Sequence, residues 1–349
     1  GTSTVGITAS GNVVVYATGA SSDLTVSQNI TGTGAAGNTL DLRADRNVTF
    51  NNSADVGTTN ALHVTLNADR DGNSAGGIAL GNGTVIASSG GNITLGGGTA
   101  GNVAAVGASA GTNGVLLDGA TLNAGAGHIV VRGTGTGAAN GVRIAANGST
   151  GSAIQTTSGN IALTGLSGAT GAADGLLVSN SSVSTQGGTI TIRGNIAVSG
   201  SSGQEAVRLD NASVVASTSG AIDIAGSAPS SGIMMINGAN VSAASGSITM
   251  LGTSTASELF SHGIAIGAAV VDSGGSATIS LTGNATTGSL PSVLVQNGRV
   301  GGGAATGDVL IRATGASGIT LNQSTQVQTA GTVTLNAAAG GVTQGTGNI

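Results

Sequence analysis

The sequence contains no cysteine, no lysine and no tryptophan, and it has only 2 prolines among 349 residues. Without cysteine the chain can form no disulfide, no thiol nucleophile and no cysteine-ligated zinc site. Without lysine it cannot build the phosphate-binding loop that ends in Lys-Ser or Lys-Thr. Several common kinds of catalytic and cofactor site are therefore excluded from the start.

Charged and aromatic residues are also scarce, at 7% and 1% of the chain, and the net charge is −5. A nucleic-acid-binding surface needs a basic patch and usually aromatic rings that stack on bases, so we expect no nucleic-acid partner. No apolar run approaches the ~20 residues of a membrane span, so we also expect no membrane insertion.

Glycine is abundant instead, with 65 residues, and Ala, Val, Ile and Leu supply most of the 39% hydrophobic fraction. Low charge and high glycine content are found in disordered chains. Here the aliphatic residues alternate with Thr, Ser and Asn, which gives short segments one apolar face to bury. This pattern predicts a narrow core of β-branched residues with many tight turns.

Short alternating segments recur in three series along the chain. The first is 92–95, 128–131, 160–163, 189–192, 221–224, 247–250, 278–281, 308–311 and 332–335. The second is 78–80, 115–117, 142–144, 176–178, 207–209, 233–235, 264–266, 293–295 and 319–321. The third is centred on Val85, Leu122, Ile154, Val183, Val214, Val241, Val270, Val300 and Val327. Apolar residues two apart in each segment indicate half-buried strands.

The spacing between the series is regular at two corners and variable at the third. Second-to-third steps span 6–12 residues and third-to-first steps 6–9, whereas the return from first to second spans 10–22. Three strands per repeat with one variable corner predict an all-β, right-handed parallel β-helix of about 11–12 coils, roughly 55 Å long. We expect a single continuous solenoid over residues 1–349, less regular in 1–75 than in 76–349. Neither end shows a cap.

Asparagines recur just after the second strand of each repeat. They are Asn180, Asn211, Asn237, Asn297 and Asn322. Asn tolerates the left-handed αL conformation, and stacked amides can hydrogen-bond along a fibre-like axis. The pattern predicts a structural Asn ladder at the bend between second and third strands, with independent turn residues as the alternative.

Three stretches resemble filamentous-haemagglutinin-like large exoproteins of Gram-negative bacteria. They are NALHVTLNADRDGNSAGGIALGNGTVIASSGGNITLGGG (60–98), LDLRADRNVTFNN (40–52) and VTLNAAAGGVTQGTG (333–347). The resemblance implies the β-helical shaft of an adhesin, secreted through an outer-membrane transporter in two-partner secretion and displayed on the bacterial surface. The family's amino-terminal secretion domain has no counterpart in this sequence.

The function expected on this basis is a structural or adhesive extracellular rod that displays loops on one edge, with a host or bacterial surface ligand that the sequence does not name. One alternative is the subunit of a self-assembling extracellular filament or surface layer, whose chains associate end to end. A second alternative is a polysaccharide-degrading enzyme, because such enzymes also use parallel β-helices.

The enzymatic alternative requires clustered carboxylates or a basic residue beside them. Asp118 and Asp210 occupy equivalent positions but lie three coils apart, about 14 Å, which is too far for a catalytic pair. The other candidates are Arg193, Glu205, Arg208 and Asp223, of which Arg208 and Asp223 belong to different strands. We therefore predict no catalytic residues and no cofactor.

Two further features are candidates for binding. Asp69, Asp71 and Asn73 have the oxygen spacing that opens a calcium loop, but Leu80 stands where the loop's glutamate belongs, so the alternative is an exposed turn. At the variable corner, Glu258, Phe260 and His262 form the most distinctive loop sequence. Because rigid scaffolds carry recognition on loops, we predict the partner-binding edge at this corner.

Overall fold

The chain folds into a β-solenoid in which each coil contributes one strand to each of three parallel sheets. The computed structural model describes residues 6–168, 173–197, 203–256, 261–286 and 290–345, and within these ranges it contains no helix. Every strand pairs in parallel with its equivalent in the next coil, so three strands per coil and the parallel β-helix are confirmed.

The strands are as follows. Sheet A consists of Ile7–Ala9, Ile30–Gly32, Val56–Thr58, Val85–Ala87, Thr121–Gly125, Ala153–Thr156, Ser182–Thr185, Val214–Ser217, Asn240–Ala243, Val270–Ser273, Arg299–Gly301 and Gln326–Gln328. Sheet B consists of Val13–Ala17, Asn38–Ala44, Leu62–Ala68, Ile93–Gly97, Ile129–Gly135, Ile161–Ser167, Ile190–Ile196, Ile222–Ala228, Ile248–Ser254, Ile279–Ala285, Val309–Ala313 and Val333–Ala337, with the short Ala105–Val106 paired beside it. Sheet C consists of Leu24–Val26, Val48–Phe50, Ile78–Leu80, Val115–Asp118, Val142–Ala145, Leu176–Ser179, Glu205–Asp210, Ser231–Ile236, Ile264–Gly267, Val293–Gln296, Ile319–Asn322 and Val342–Gln344.

The three sequence series correspond to sheets B, C and A in that order. The chain passes from sheet A to B to C in each coil, which defines corner AB, corner BC and corner CA; the variable return is corner BC. Sheet A strands at Ile7–Ala9, Ile30–Gly32 and Val56–Thr58 extend the same order into the less regular first part. The coils there are short: 23 residues separate Ile7 from its partner Ile30, whereas 36 separate Val85 from Thr121.

One aliphatic core runs through the coils because equivalent inward residues stack in register. The inward column at the start of sheet B is Val64, Ile93, Ile129, Ile161, Ile190, Ile222, Ile248, Ile279 and Val309, all buried. Each buried aliphatic side chain contributes about 1.5–3 kcal/mol relative to exposure. A charge at any of these positions would place an unpaired ion in the core, with no partner within the stack.

A spine of glycines lines corner AB, where successive coils approach backbone to backbone. A Cβ on Gly159 would lie 1.8 Å from the carbonyl oxygen of Gly127, and one on Gly188 would lie 1.9 Å from that of Gly159. The same contact recurs at Gly220 and Gly246, at 1.7 and 1.9 Å. None of these glycines has a positive φ, so close approach and not conformational freedom requires them.

At corner BC the chain closes on itself through a second glycine contact, which we call the glycine pinch. A Cβ on Gly226 would lie 2.0 Å from the carbonyl oxygen of Gly232, six residues later. The equivalent distance from Gly252 to the carbonyl of Gly263 is 1.9 Å. The end of the sheet B strand and the start of the sheet C strand are therefore in contact, whatever the length of the segment between them.

Candidate functional site

The asparagines at corner CA adopt the conformation that their position predicts. Asn180, Asn211, Asn237 and Asn297 have φ between 47° and 54°, in the αL region. Asn322 differs, because the next residue, Gln323, takes the αL position with φ 53°. The αL bend is thus confirmed for four of the five residues, and it is displaced by one residue in the last coil.

The hydrogen bonds of these asparagines do not form a column of stacked amides. Asn211 Nδ2 donates to the hydroxyl of Ser179 at 3.2 Å, and Asn237 Nδ2 donates to Asp210 Oδ1 at 2.7 Å. Each of these two amides binds the residue that precedes the bend in the previous coil. Neighbouring coils are therefore joined here by an amide and a different residue type, not by two stacked amides.

A continuous side-chain ladder lies at corner AB, where the sequence analysis did not place one. In each step a side chain accepts the backbone N–H of the equivalent residue in the next coil, at 2.9–3.1 Å. His63 Nδ1 accepts from Asn92, and Asn92 Oδ1 accepts from His128. His128 Nδ1 accepts from Asn160, and Asn160 Oδ1 accepts from Thr189. Because Nδ1 accepts in both histidines, the neutral ring carries its proton on Nε2. These residues precede the first inward residue of each sheet B strand, which is the sequence signal that could have identified them.

A third ladder, at the sheet C end of corner BC, carries the most buried polar groups. Asn113 Oδ1 accepts the N–H of Asn140 at 2.9 Å, and Asn140 Oδ1 accepts that of Asp174 at 2.7 Å. Asp174 Oδ1 continues the ladder by accepting the N–H of Glu205 at 3.1 Å. Here the amides of two coils are followed by carboxyl groups in the next two, so two acidic side chains lie one above the other.

The acidic pair is buried, and an arginine on the same strand as Glu205 lies beside it. Asp174 and Glu205 are 6% and 2% exposed. Arg208 Nη1 lies 3.6 Å from Glu205 Oε2, and Arg208 Nη2 lies 2.8 Å from Asp210 Oδ2. Burial, and then the charge of Glu205, raise the pKa of Asp174 well above its ordinary value, so the protonated form of this carboxyl group is favoured beside Glu205.

Two carboxyl groups that share a proton are also an arrangement used in catalysis. Here the two side chains are almost fully enclosed, whereas glycosidic carboxyl groups face a gap in which the substrate lies. The other acidic candidates are held in surface contacts. Arg193 pairs with Asp223 at 2.5 Å on sheet B, and Asp118 accepts from Asn147 at 2.7 Å, three coils from Asp210.

Replacing the protonated acid by an amide tests this interpretation. We expect Asp174→Asn to be more stable than the native protein at pH 7, by on the order of 1 kcal/mol, because an amide accepts and donates without an ionisable proton. The favourable contribution of a group with a raised pKa is complete below its unfolded value of 3.8 and is lost as the pH rises through its folded value. As the pH rises from 3.8 to the folded pKa of Asp174, the native protein should therefore lose stability, whereas the Asp174→Asn protein should not.

Asn140→Asp is the matched control, since Asn140 occupies the same place one coil earlier. The substitution introduces a carboxyl group next to Asp174. We expect the variant to be less stable than the native protein at pH 7 and to regain stability at acidic pH. Urea denaturation of the three proteins between pH 3 and pH 8 measures both effects. Equal pH dependence in the native and Asp174→Asn proteins would contradict the assignment of the proton.

The calcium candidate forms a turn closed by its own side chains. Asp69 Oδ1 accepts the N–H of Ala75 at 3.2 Å, and Asp71 Oδ2 accepts from Asn73 Nδ2 at 2.9 Å. Burial raises the pKa of Asp69. Within the described ranges, no three side chains of His, Cys, Asp or Glu lie together as a metal-ligand set.

The predicted partner-binding edge is only partly described. Glu258 and Phe260 lie outside the described residues. His262 is 4% exposed, its Nδ1 donates to the carbonyl oxygen of Pro291 at 2.8 Å, and burial lowers its pKa. The imidazole is thus enclosed next to the pinch residue Gly263, and the partner-binding edge at Glu258, Phe260 and His262 stays a prediction.

The fold and these ladders define the class of the protein, a parallel β-helix with polar ladders at all three corners. No helix among the described residues is long and apolar enough to cross a membrane. Comparisons with protein-family models, with curated proteins and with solved structures give no match for this chain.

Proposed function

We propose that the protein is a structural rod that forms part of the shaft of a secreted bacterial surface protein. The observation that carries the proposal is the continuity of the three sheets, each with twelve strands in one main path around one core. Eleven steps of about 4.8 Å make the stack roughly 53 Å long. Strand ladders in which every coil has two neighbours resist bending, which suits a rigid spacer.

The extracellular setting of the proposal depends on the resemblance of residues 40–52, 60–98 and 333–347 to filamentous-haemagglutinin-like exoproteins. On this view an outer-membrane transporter exports the chain, and the rod stands on the bacterial surface. The rod would carry an adhesive contact to a host or bacterial partner on the segments of corner BC, because their lengths vary while the sheets stay regular.

Immunogold electron microscopy on intact cells that produce the protein tests this function. Antibodies raised against the folded protein should label the outside of the cell, at a distance from the membrane that reflects the length of the whole surface protein. Intact-mass measurement of the native product should show a chain longer than 349 residues. Label confined to the cell interior would contradict the proposal. A native product near 32 kDa assembled into long fibres would instead support a filament subunit.

The proposal treats the protein as a non-enzyme. The charged side chains of the enzymatic alternative that lie on one strand of sheet C, Glu205, Arg208 and Asp210, are joined to each other in ion pairs. Assays on polyanionic polysaccharides provide the corresponding test. Cleavage that is lost in Arg208→Ala would overturn the proposal in favour of a polysaccharide lyase.

A further inference from the structure

One feature of the outer surface that no ladder explains is a groove along sheet A, with a volume of about 580 Å³. Its floor is one column of outward residues in register: Asn123, Gln155, Ser184, Ala216, Ser242 and Asp272. Six coils contribute to it, so the groove runs parallel to the solenoid axis for about 24 Å. We call it the sheet A groove.

The groove exists because its central floor residues are small while its borders are not. Ser184, Ala216 and Ser242 follow one another in the middle of the column, between longer side chains at each end. The turn residues that begin corner AB, including Thr157, Gln186 and Thr218, form one side. A shaft needs no such depression, because larger side chains would fit the same outward positions.

The side chains that line the groove have unused hydrogen-bonding capacity. Among the described residues, the side chains of Gln155, Ser184 and Ser242 have no hydrogen-bond partner, and those of Thr157, Gln186 and Thr218 have none either. Amides and hydroxyls both donate and accept. The groove therefore repeats uncharged donors and acceptors along its length at the spacing of the coils.

The charge of the groove is almost balanced. Asp272 is its one ionisable residue, and Arg299 of the next coil pairs with it at 2.8 Å. A nucleic acid would need several cationic contacts to its phosphates, which this lining does not supply. A peptide strand would need an open sheet edge, whereas the backbone groups beneath the groove are already paired between coils.

We infer that the sheet A groove binds an extended, neutral glycan lying parallel to the solenoid axis. A glycan offers hydroxyl groups on every ring, and the spacing of the coils is close to the length of one pyranose residue in an extended chain. Each ring would then meet the amide or hydroxyl of a successive coil. This goes beyond the rod function, because a spacer would operate equally well without it.

Binding of defined hexasaccharides tests the inference. The neutral probes are hexamers of glucose, N-acetylglucosamine and mannose, and the anionic probes are a galacturonate hexamer and a heparin hexasaccharide, all measured by calorimetry and saturation-transfer NMR. We expect at least one neutral hexamer to bind, and the trisaccharide of the same sugar to bind at least tenfold more weakly.

Two variants locate the binding. Ser184→Tyr places a ring on the groove floor and should weaken binding of the neutral hexamer at least tenfold. Ser280→Tyr makes the same change on the outer face of sheet B and should leave the affinity unchanged. Gln186→Ala lies in an exposed turn and should weaken binding several-fold, which keeps the test decisive if the tyrosine variant fails to fold. Circular dichroism checks the fold of each variant.

Failure to bind any neutral hexamer, binding of the anionic probes alone, or equal loss in Ser184→Tyr and Ser280→Tyr would each overturn the inference. These outcomes are separate from those of the rod proposal. Surface labelling can succeed when the groove binds nothing, and glycan binding can be measured on the purified protein whatever its location in the cell.

Discussion

A protein that lacks residues 182–213 should fold into the same solenoid with one coil fewer. The deletion joins Ser181 to Val214, and Val214 is the register partner of Ser182 in the next coil. It removes one complete strand from each sheet. We expect the thermal midpoint to stay within about 5 °C of the native value, because only one set of nearest-neighbour contacts is lost.

The reason is that the new neighbours are chemically equivalent to the old ones. Ile154 would meet Val215 in sheet A, Ile161 would meet Ile222 in sheet B, and Leu176 would meet Ile233 in sheet C, all now buried at the same positions of their strands. Parallel stacking tolerates this exchange because every coil presents the same three inward rows.

A deletion shorter by one residue is the control. Removing 183–213 keeps Ser182 ahead of Val214 and shifts the following strand by one position, which turns Val215 outward. We expect a thermal midpoint clearly lower than that of the coil deletion, because the surplus residue must either leave the sheet A register or displace the buried Val215. Circular dichroism and small-angle X-ray scattering compare the two proteins, and the coil deletion should retain the native cross-section. Similar behaviour of the two deletions would contradict the register argument.

The second large effect concerns two adjacent glycines. Gly188→Ala should destabilise the protein by roughly 3 kcal/mol, because its Cβ would lie 1.9 Å from the carbonyl oxygen of Gly159 and the coils would have to separate. Gly187→Ala should change stability by less than about 0.5 kcal/mol, since its Cβ would meet nothing closer than 3.7 Å.

Urea denaturation followed by circular dichroism at 218 nm, a wavelength chosen for β-structure, measures this difference between otherwise similar variants. Hydrogen exchange of the amides in sheet B strands on both sides of residue 188 shows whether the damage is local. Equal midpoints for the two alanine variants would show that the spine tolerates a methyl group and that the close contact is not required.

The sequence predicts the architecture well because the repeat imposes the same alternation in every coil. The series at sheets B and C match their strands, and the variable return lies at corner BC as expected. In sheet A the pattern centres on Val85, Val214 and Val270, but Ile86, Val215 and Val271 are the buried residues. Two adjacent β-branched residues fit either face, so alternation alone leaves their orientation open.

The polar ladders are less predictable because they depend on which residues stack between coils. Asp174 gives no signal by itself, and it becomes notable only when its register places it above Glu205 and below Asn140. His63 and His128 show the same limit, because nothing in either residue alone reveals that its ring accepts a backbone hydrogen bond from the next coil. Exposure is a property of one residue, whereas a ladder is a property of neighbours 27–36 residues apart.

The glycine pinch makes the register of the strands independent of the length and sequence of the corner BC segment. Gly226 touches Gly232 across five residues, and Gly252 touches Gly263 across ten, yet the strands on either side keep the same register. The segment between the two glycines can thus be lengthened, shortened or replaced without changing the register of the strands or the packing of the core. Each coil therefore accepts a new surface segment independently, and the solenoid can acquire new binding specificities one coil at a time.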